Sequence, residues 1–150
     1  MLTKLRAGID RGLETVLAVI LGGMVLAVLW QVGTRFLLRD PSSGSEELVR
    51  FGLVWLGLLG ASYAFGRKAH LAVDLLPRGR KLDIVVALSI AVFAAAVLVG
   101  GGIRLVDITL ALGQSSASLE IERGYVYLAL PLSGVLILFY TLEAILEGER

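Results

Sequence analysis

Four long stretches without a charged residue decide what this chain can fold into. They are 20, 16, 20 and 19 residues long, and they comprise Thr15–Thr34, Phe51–Gly66, Ile84–Ile103 and Gly124–Leu142. A helix that crosses a bilayer needs about 20 apolar residues, with a range of roughly 17–25. A water-soluble domain of 150 residues has too much surface for its volume to bury all four. The sequence therefore predicts an all-α membrane protein with four transmembrane helices.

The limits of the four spans follow from the charges and turn residues around them. Leu48 and Val49 extend the short second stretch beyond Arg50, whose long side chain can reach the membrane surface from a helix end. Asp40-Pro41 ends the first span, because proline disfavours helical backbone in the residue before it. We expect one transmembrane domain over residues 1–150, with spans at about 13–38, 45–66, 82–111 and 123–146.

Positive charges are divided unequally between the two sides of the predicted membrane. With four spans, both termini and the middle loop share one side, which carries nine of the 14 Lys and Arg residues. The other side carries the remaining five. Because loops that stay in the cytoplasm carry an excess of Lys and Arg, both termini are predicted to be cytoplasmic.

Two short segments are predicted to lie along the membrane surface. Apolar residues recur every three or four positions from Leu2 to Leu13 among charged ones, which is typical of an amphipathic interfacial helix. The middle loop, RKAHLAVDLLPRGRK, is too apolar for a solvated linker and too short to span a bilayer. We expect a short interfacial segment in both places.

The stretch SSGSEELVRFG, residues 42–52, places charges at the start of the second span. Ser43 and Glu46 have the spacing of a capping box, in which the serine hydroxyl accepts from a free backbone N–H. Glu46 and Arg50 are four residues apart and can pair on a helix, and Glu47 lies three residues before Arg50. Two interpretations stay open: the charges only cap the helix at the outer interface, or Glu47 or Arg50 also contacts a partner protein.

Small residues indicate that the helices pack closely. Gly57 and Ala61, and likewise Gly60 and Ala64, are spaced by four and therefore share helix faces. In lipid, faces of small residues allow helix backbones to approach one another. This pattern indicates association without identifying the partner helix.

The sequence predicts no catalytic or cofactor chemistry. It has no cysteine, no nucleophile–histidine–acid set and no phosphate-binding loop, and its net charge of +1 gives no nucleic-acid footprint. His70 and Asp74 are four residues apart; they could relay protons or orient a metal ligand, or simply pair on a surface helix. We therefore expect no enzymatic activity, no cofactor, no metal site and no nucleic-acid partner.

The run SEELVRFGLVWLGLLGASYAFGRKAHLAVDLLP resembles the central signature of the small, Q-type membrane subunit of tripartite ATP-independent periplasmic (TRAP) transporters. The signature has an acidic pair, an arginine, an aromatic-rich span that ends in Gly-Ala, and a histidine followed by an aspartate. The matching residues are Glu46, Glu47, Arg50, Trp55, Gly60, Ala61, His70 and Asp74. Arg35 also fits, and GQSSASLEIERGYVYLALPLSG, residues 113–134, looks like the family's outer loop and the start of its last span, with Pro131 matched. Length, four spans and cytoplasmic termini agree, so the resemblance covers most of the chain.

The resemblance implies a subunit of a three-part importer in the bacterial inner (cytoplasmic) membrane. In such a system a periplasmic substrate-binding protein captures an organic acid, and a large multi-span membrane subunit carries it inward with sodium. The small subunit then braces the static scaffold of the large one within the lipid bilayer. The partner-interface candidates are Arg35, Glu46, Glu47, Arg50, Trp55, Gly57, Gly60, His70 and Asp74.

Two rival functions also fit four apolar helices. A small homodimeric multidrug–proton exchanger would need a carboxylate inside the membrane, and Glu14 lies near the cytoplasmic end of its span. A membrane anchor of a respiratory enzyme would need axial histidines within its spans, whereas His70 lies in a loop. The partner distinguishes these functions: a second copy, a soluble redox enzyme, or a large multi-span protein.

Overall fold

The computed structural model describes residues 2–38, 42–67 and 80–147, and the regular elements in these ranges are helical. Helix α1 is Leu2–Gly33 and continues as a π-helical segment, Thr34–Leu38. Helix α2 is Ser43–Gly66. Helix α3 is Arg80–Phe93, followed by the π-helical segment Ala94–Gly101 and by α4, Gly102–Ala111. Helices α5, Arg123–Tyr127, and α6, Ala129–Glu147, complete the described chain.

Four helical stretches are long and apolar enough to cross a bilayer, which confirms the predicted class. They are the first to fourth spans: Leu5–Leu37, Ser43–Gly66, Val85–Ala111 and Arg123–Ile145. Their most apolar windows have mean hydropathies of 2.3, 1.5, 2.4 and 1.9. The bounds are those of helices; where the bilayer begins on each helix, and which side the termini face, stay predictions.

The four spans pack in a row. Helix α1 packs on α2, α2 packs on α6, and α6 packs on the π-helical segment of the third span. Within the described ranges, neither α1 nor α2 packs against the third span. The order across the row is therefore first, second, fourth and third, and we call this arrangement the slab.

The slab has little interior. In the first span none of the most apolar window is buried, whereas 33% of it is buried in the fourth span. A small apolar cluster of Leu13, Leu59 and Tyr140 joins three of the spans, with Trp55 partly buried against it. Because lipid tails are as apolar as leucine, a membrane helix needs no protein cover on its remaining sides.

Close contacts with small residues hold the fourth span to its neighbours. A Cβ on Gly102 would lie 2.9 Å from Cδ of Pro131, and one on Gly134 would lie 2.8 Å from Cβ of Leu98. On the other side of α6, the buried hydroxyl of Ser62 is 2.9 Å from the carbonyl oxygen of Leu58 and 3.2 Å from that of Ser133. Small residues and hydroxyl bonds of this kind are what membrane helices use in place of a hydrophobic driving force.

The amphipathic segment at the start of the chain is not a separate helix. Helix α1 runs without a break from Leu2 to Gly33, so an interfacial helix before the first span is not confirmed. Two charged residues of this segment, Arg6 and Asp10, contact side chains of α6, as described below. The second predicted interfacial segment falls on the middle loop, outside the described residues.

Candidate functional site

Polar side chains that join different helices concentrate at the two ends of the slab. At the terminal end, α1 begins while α2 and α6 end. At the loop end, α2 begins and residues 112–122 connect α4 to α5. We call this connection the outer loop.

A single arginine links three helices at the terminal end. Arg6 Nη2 donates to the carbonyl oxygen of Gly66 at 2.6 Å, and its Nη1 is 3.2 Å from Oε2 of Glu143. Its Nε lies 3.8 Å from Oδ2 of Asp10, whose Oδ1 accepts from the Tyr140 hydroxyl at 2.6 Å. These five residues are the Arg6 network. They join the start of α1 to the last turns of α2 and α6.

The charges of the Arg6 network are largely shielded from solvent. The side chain of Glu143 is 6% exposed and that of Arg6 is 25% exposed. Oε1 of Glu143 is buried and accepts no hydrogen bond within the described part of the chain. One guanidinium thus serves two carboxylates. Since a buried charge is costly without its partner, the two carboxylates depend on Arg6 for compensation of their charge.

A more exposed group lies beside this network. The Tyr63 hydroxyl and the Arg67 guanidinium both donate to Oε1 of Glu14, and Arg67 lies 5.2 Å above the centre of the Tyr63 ring. About half of the Glu14 and Arg67 side chains remains exposed, at 47% and 53%. Glu14, the carboxylate that a proton exchanger would need, is therefore engaged by side chains of α2.

At the loop end, a carboxylate binds main-chain N–H groups of the outer loop. Oε2 of Glu47 accepts from the N–H of Ser118 at 2.9 Å and from that of Leu119 at 3.3 Å. The loop also bonds to itself, because the N–H of Ser116 donates to the carbonyl oxygen of Ile121 at 2.8 Å. A residue at the start of the second span thereby fixes a segment some 70 positions later in the sequence.

The neighbouring acidic residue behaves differently. Glu46 pairs with Arg50 at 3.0 Å, as its spacing predicts, and both side chains are exposed, at 60% and 68%. The predicted capping box is not formed. Helix α2 begins at Ser43, so the preceding Ser42 is its N-cap, and no side chain caps a backbone N–H there. The Ser42 hydroxyl instead lies 2.9 Å from that of Ser45.

The nine partner-interface candidates divide into three groups. Four are exposed on the surface of the slab: Arg35, Glu46, Arg50 and Gly57. Three lie against other parts of this chain: Glu47 on the outer loop, Trp55 on the apolar cluster, and Gly60 near Leu17. Two, His70 and Asp74, lie outside the described residues. A role of any of the nine in partner contact stays a prediction.

Sequence reasoning missed the Arg6 network. It placed the segment from Leu2 to Leu13, which contains Arg6 and Asp10, in an interfacial helix, and it gave Glu143 no partner. Tyr140 and Asp10 are 130 positions apart, so no local spacing could have linked them. The described residues also contain no group of acidic, histidine or cysteine side chains that could hold a metal ion.

Comparison with known proteins decides the family. The family model described as "Tripartite ATP-independent periplasmic transporters, DctQ component" matches residues 24–150. The chain belongs to this family. It is thus a small permease subunit of a TRAP transporter, and the exchanger and respiratory-anchor interpretations are set aside.

Two relatives agree with the family match. The chain is 33% identical over 156 residues to the sialic acid TRAP transporter small permease protein SiaQ of Vibrio cholerae, covering 95% of this chain and 84% of the relative. It is 33% identical over 76 residues to a putative TRAP transporter small permease protein of Haemophilus influenzae, covering 51% of this chain and 47% of that protein. The first similarity therefore extends over most of both chains.

Proposed function

We propose that this small permease subunit braces a large multi-span transport subunit in the bacterial inner membrane. The assembly takes up an organic acid with sodium, and a periplasmic binding protein delivers the acid. The observation that carries the bracing role is the slab itself. A row of helices with wide apolar sides adds membrane area to a neighbour without enclosing a passage of its own.

The polar groups inside the slab favour a bracing role for this subunit over a transport role. The buried hydroxyls of Ser62, Thr109, Ser133 and Thr141 each donate to a carbonyl oxygen of their own helix. Ionisable side chains in the described spans lie towards the span ends. A coupled transporter usually has an ionisable group along its path. The path for substrate and sodium therefore belongs to another subunit.

Both termini are proposed to face the cytoplasm. The terminal end and the middle loop carry nine of the 14 positive residues, and the positive-inside rule acts on such short segments. The loop end then faces the periplasm, where a soluble binding protein has access to it. This orientation places the Arg6 network on the cytoplasmic side and the Glu47 contact on the periplasmic side.

The outward face of α2 is the proposed contact with the large subunit. Arg50 and Gly57 lie seven positions apart on this face and both are exposed. A Cβ on Gly57 would meet no atom within 4 Å in this chain. A helix of the large subunit could therefore approach the α2 backbone closely here, as small residues permit in lipid.

Co-purification tests the bracing role. The tagged chain would be extracted from its native membranes in mild detergent, and the mass of the complex would be measured. We expect one large multi-span partner in a one-to-one ratio. Recovery of the chain alone, or as a homodimer, would contradict the proposal.

Paired glycine substitutions test the proposed face. Gly57→Leu fills open space on α2, so the fold of this chain is preserved while close approach of a partner helix is blocked. Gly22→Leu is the matched control, because its Cβ on α1 would also meet no atom within 4 Å. We expect Gly57→Leu to lower recovery of the large subunit several-fold and Gly22→Leu to retain it. If the large subunit were recovered with Gly57→Leu as fully as with Gly22→Leu and wild type, this face of α2 would be excluded as the contact.

A further inference from the structure

The outer loop is an ordered segment that has almost no interior. Its residues 117, 118 and 120–122 are exposed, yet its backbone is held at several points. The N–H of Arg123 donates to the carbonyl oxygen of Gln114 at 2.9 Å, and Ser115 and Glu122 form an antiparallel bridge. Glu120 adopts a left-handed backbone conformation with φ of 53°, which few residues other than glycine adopt. The loop is thus fixed by backbone bonds, and hardly at all by burial of its side chains.

Glu47 supplies the hydrogen bonds that tie this loop to α2. Its carboxylate accepts from two consecutive N–H groups, those of Ser118 and Leu119. Hydrogen bonds to a charged acceptor are stronger than those between neutral groups. The Leu119 side chain also approaches α2, because one of its methyl carbons would lie 3.5 Å from a Cβ on Gly44. The outer loop therefore packs on the first residues of α2 and is hydrogen-bonded to them.

The adjacent carboxylate, that of Glu46, shows that a negative charge near the start of α2 is not enough to bind the outer loop. Glu46 has the same charge and lies in the first turn of α2, where a negative charge interacts favourably with the helix dipole. Glu46 nevertheless faces solvent with Arg50 and makes no contact with the outer loop among the described contacts. The two acidic residues of the signature thus have different tasks, and only Glu47 is placed to act on the loop.

We propose that Glu47 is a positioning residue that fixes the outer loop in one conformation, and that this fixed loop is the surface offered to the periplasmic binding protein. The second half rests on the proposed function. Glu47 itself does not touch the binding protein, because its carboxylate is occupied by the loop backbone. A loop that is already ordered loses less conformational entropy on binding, which raises affinity without adding a contact.

The exposed tip of the outer loop, residues 120–122, indicates what kind of surface on the binding protein would fit it. Ile121 is 40% exposed and lies between Glu120 and Glu122, whose side chains are also exposed. The loop lies beyond the ends of α4 and α5, outside the apolar spans. Arg123, at the start of α5, is exposed as well, so two carboxylates and one guanidinium surround this apolar side chain. The matching surface on the binding protein is therefore an apolar spot with lysine or arginine side chains opposite Glu120 and Glu122.

Amide hydrogen exchange of the full chain in lipid nanodiscs tests the first half. In Glu47→Ala, peptides that cover residues 116–120 should exchange about tenfold faster or more, since a charge-assisted bond is lost. Glu46→Gln is the matched control and should leave exchange in these peptides unchanged. Equal exchange in wild type and Glu47→Ala would overturn the positioning role.

Uptake by the complete transporter in proteoliposomes tests the second half, with the binding protein titrated. We expect Glu47→Ala to raise the binding-protein concentration for half-maximal uptake several-fold and to leave the maximal rate unchanged. Glu120→Lys, which alters the tip and keeps Glu47, should also raise that concentration. Asp107→Asn removes a carboxylate from the exposed side of α4 and should change neither quantity. A fall in maximal rate with no change in the half-maximal concentration would overturn the docking role.

The two proposals fail in different ways. If the wild-type chain brings down no large subunit, the proposed function fails, while the exchange difference between Glu47→Ala and Glu46→Gln stands. If the large subunit is recovered equally with wild type and Glu47→Ala but the titration is unchanged, only docking through the outer loop fails.

Discussion

The two ends of the slab are held by opposite means. At the terminal end, charged side chains from α1 and α6 meet in a partly buried network around Arg6. At the loop end, the carboxylate of Glu47 meets backbone N–H groups of an exposed loop. The first arrangement ties whole helices together, whereas the second fixes one connection. Loss of the first should therefore weaken the entire fold, and loss of the second should have a local effect.

The largest effect is expected from Arg6→Gln. This change leaves Glu143 buried without its cation, and removal of one partner of a buried pair typically costs about 3 kcal/mol or more. Because a quarter of the Arg6 side chain is exposed, solvent screens part of this interaction, and we expect a smaller loss of about 2 kcal/mol. The thermal unfolding midpoint in detergent should fall by several degrees.

Two controls sharpen this result. Arg11→Gln removes a positive charge from the same helix at an exposed position and should leave the midpoint unchanged. Glu47→Ala removes a charge at the loop end and should also leave it nearly unchanged, because the loop opens locally. If Glu47→Ala lowered the midpoint as much as Arg6→Gln does, the contrast between the two ends would be wrong.

A smaller effect is expected from Glu143→Gln. Arg6 keeps Asp10 as a partner, and the amide oxygen of glutamine can still accept from the guanidinium. The amide nitrogen would take the place of an oxygen that already has no partner in the described chain. We expect a change within about 1 kcal/mol, measured by the same thermal unfolding. A loss equal to that of Arg6→Gln would show that both oxygens of Glu143 are bonded.

The smallest effect is expected from Glu14→Gln. Its bonds to Tyr63 and Arg67 join α1 to α2, but about half of the carboxylate and guanidinium side chains is exposed. Exposed ion pairs contribute little, because solvent screens them and ordering long side chains costs entropy. We expect no measurable change in the unfolding midpoint at physiological salt. A clear decrease would place this pair with the buried Arg6 network.

The charged residues at the start of the second span show which contacts the spacing of residues in the sequence can predict. The pairing of Glu46 with Arg50 follows from their separation on a helix, and the structure contains it. The contact of Glu47 with the outer loop does not follow from any spacing, because its donors are main-chain groups 71 and 72 positions away. Local rules find partners within a helix, whereas partners between helices depend on which faces meet.

The sequence by itself determined that this is a membrane protein with four helices, and the signature around Glu46 and Arg50 indicated its family. Both follow from short-range properties, since hydropathy sets the medium and helix periodicity sets the faces. Only the tertiary structure decided that the second span lies between the first and the fourth, and that Arg6 reaches Glu143. In lipid, helices associate through close packing and a few polar bonds, so their order depends on contacts between residues far apart in sequence.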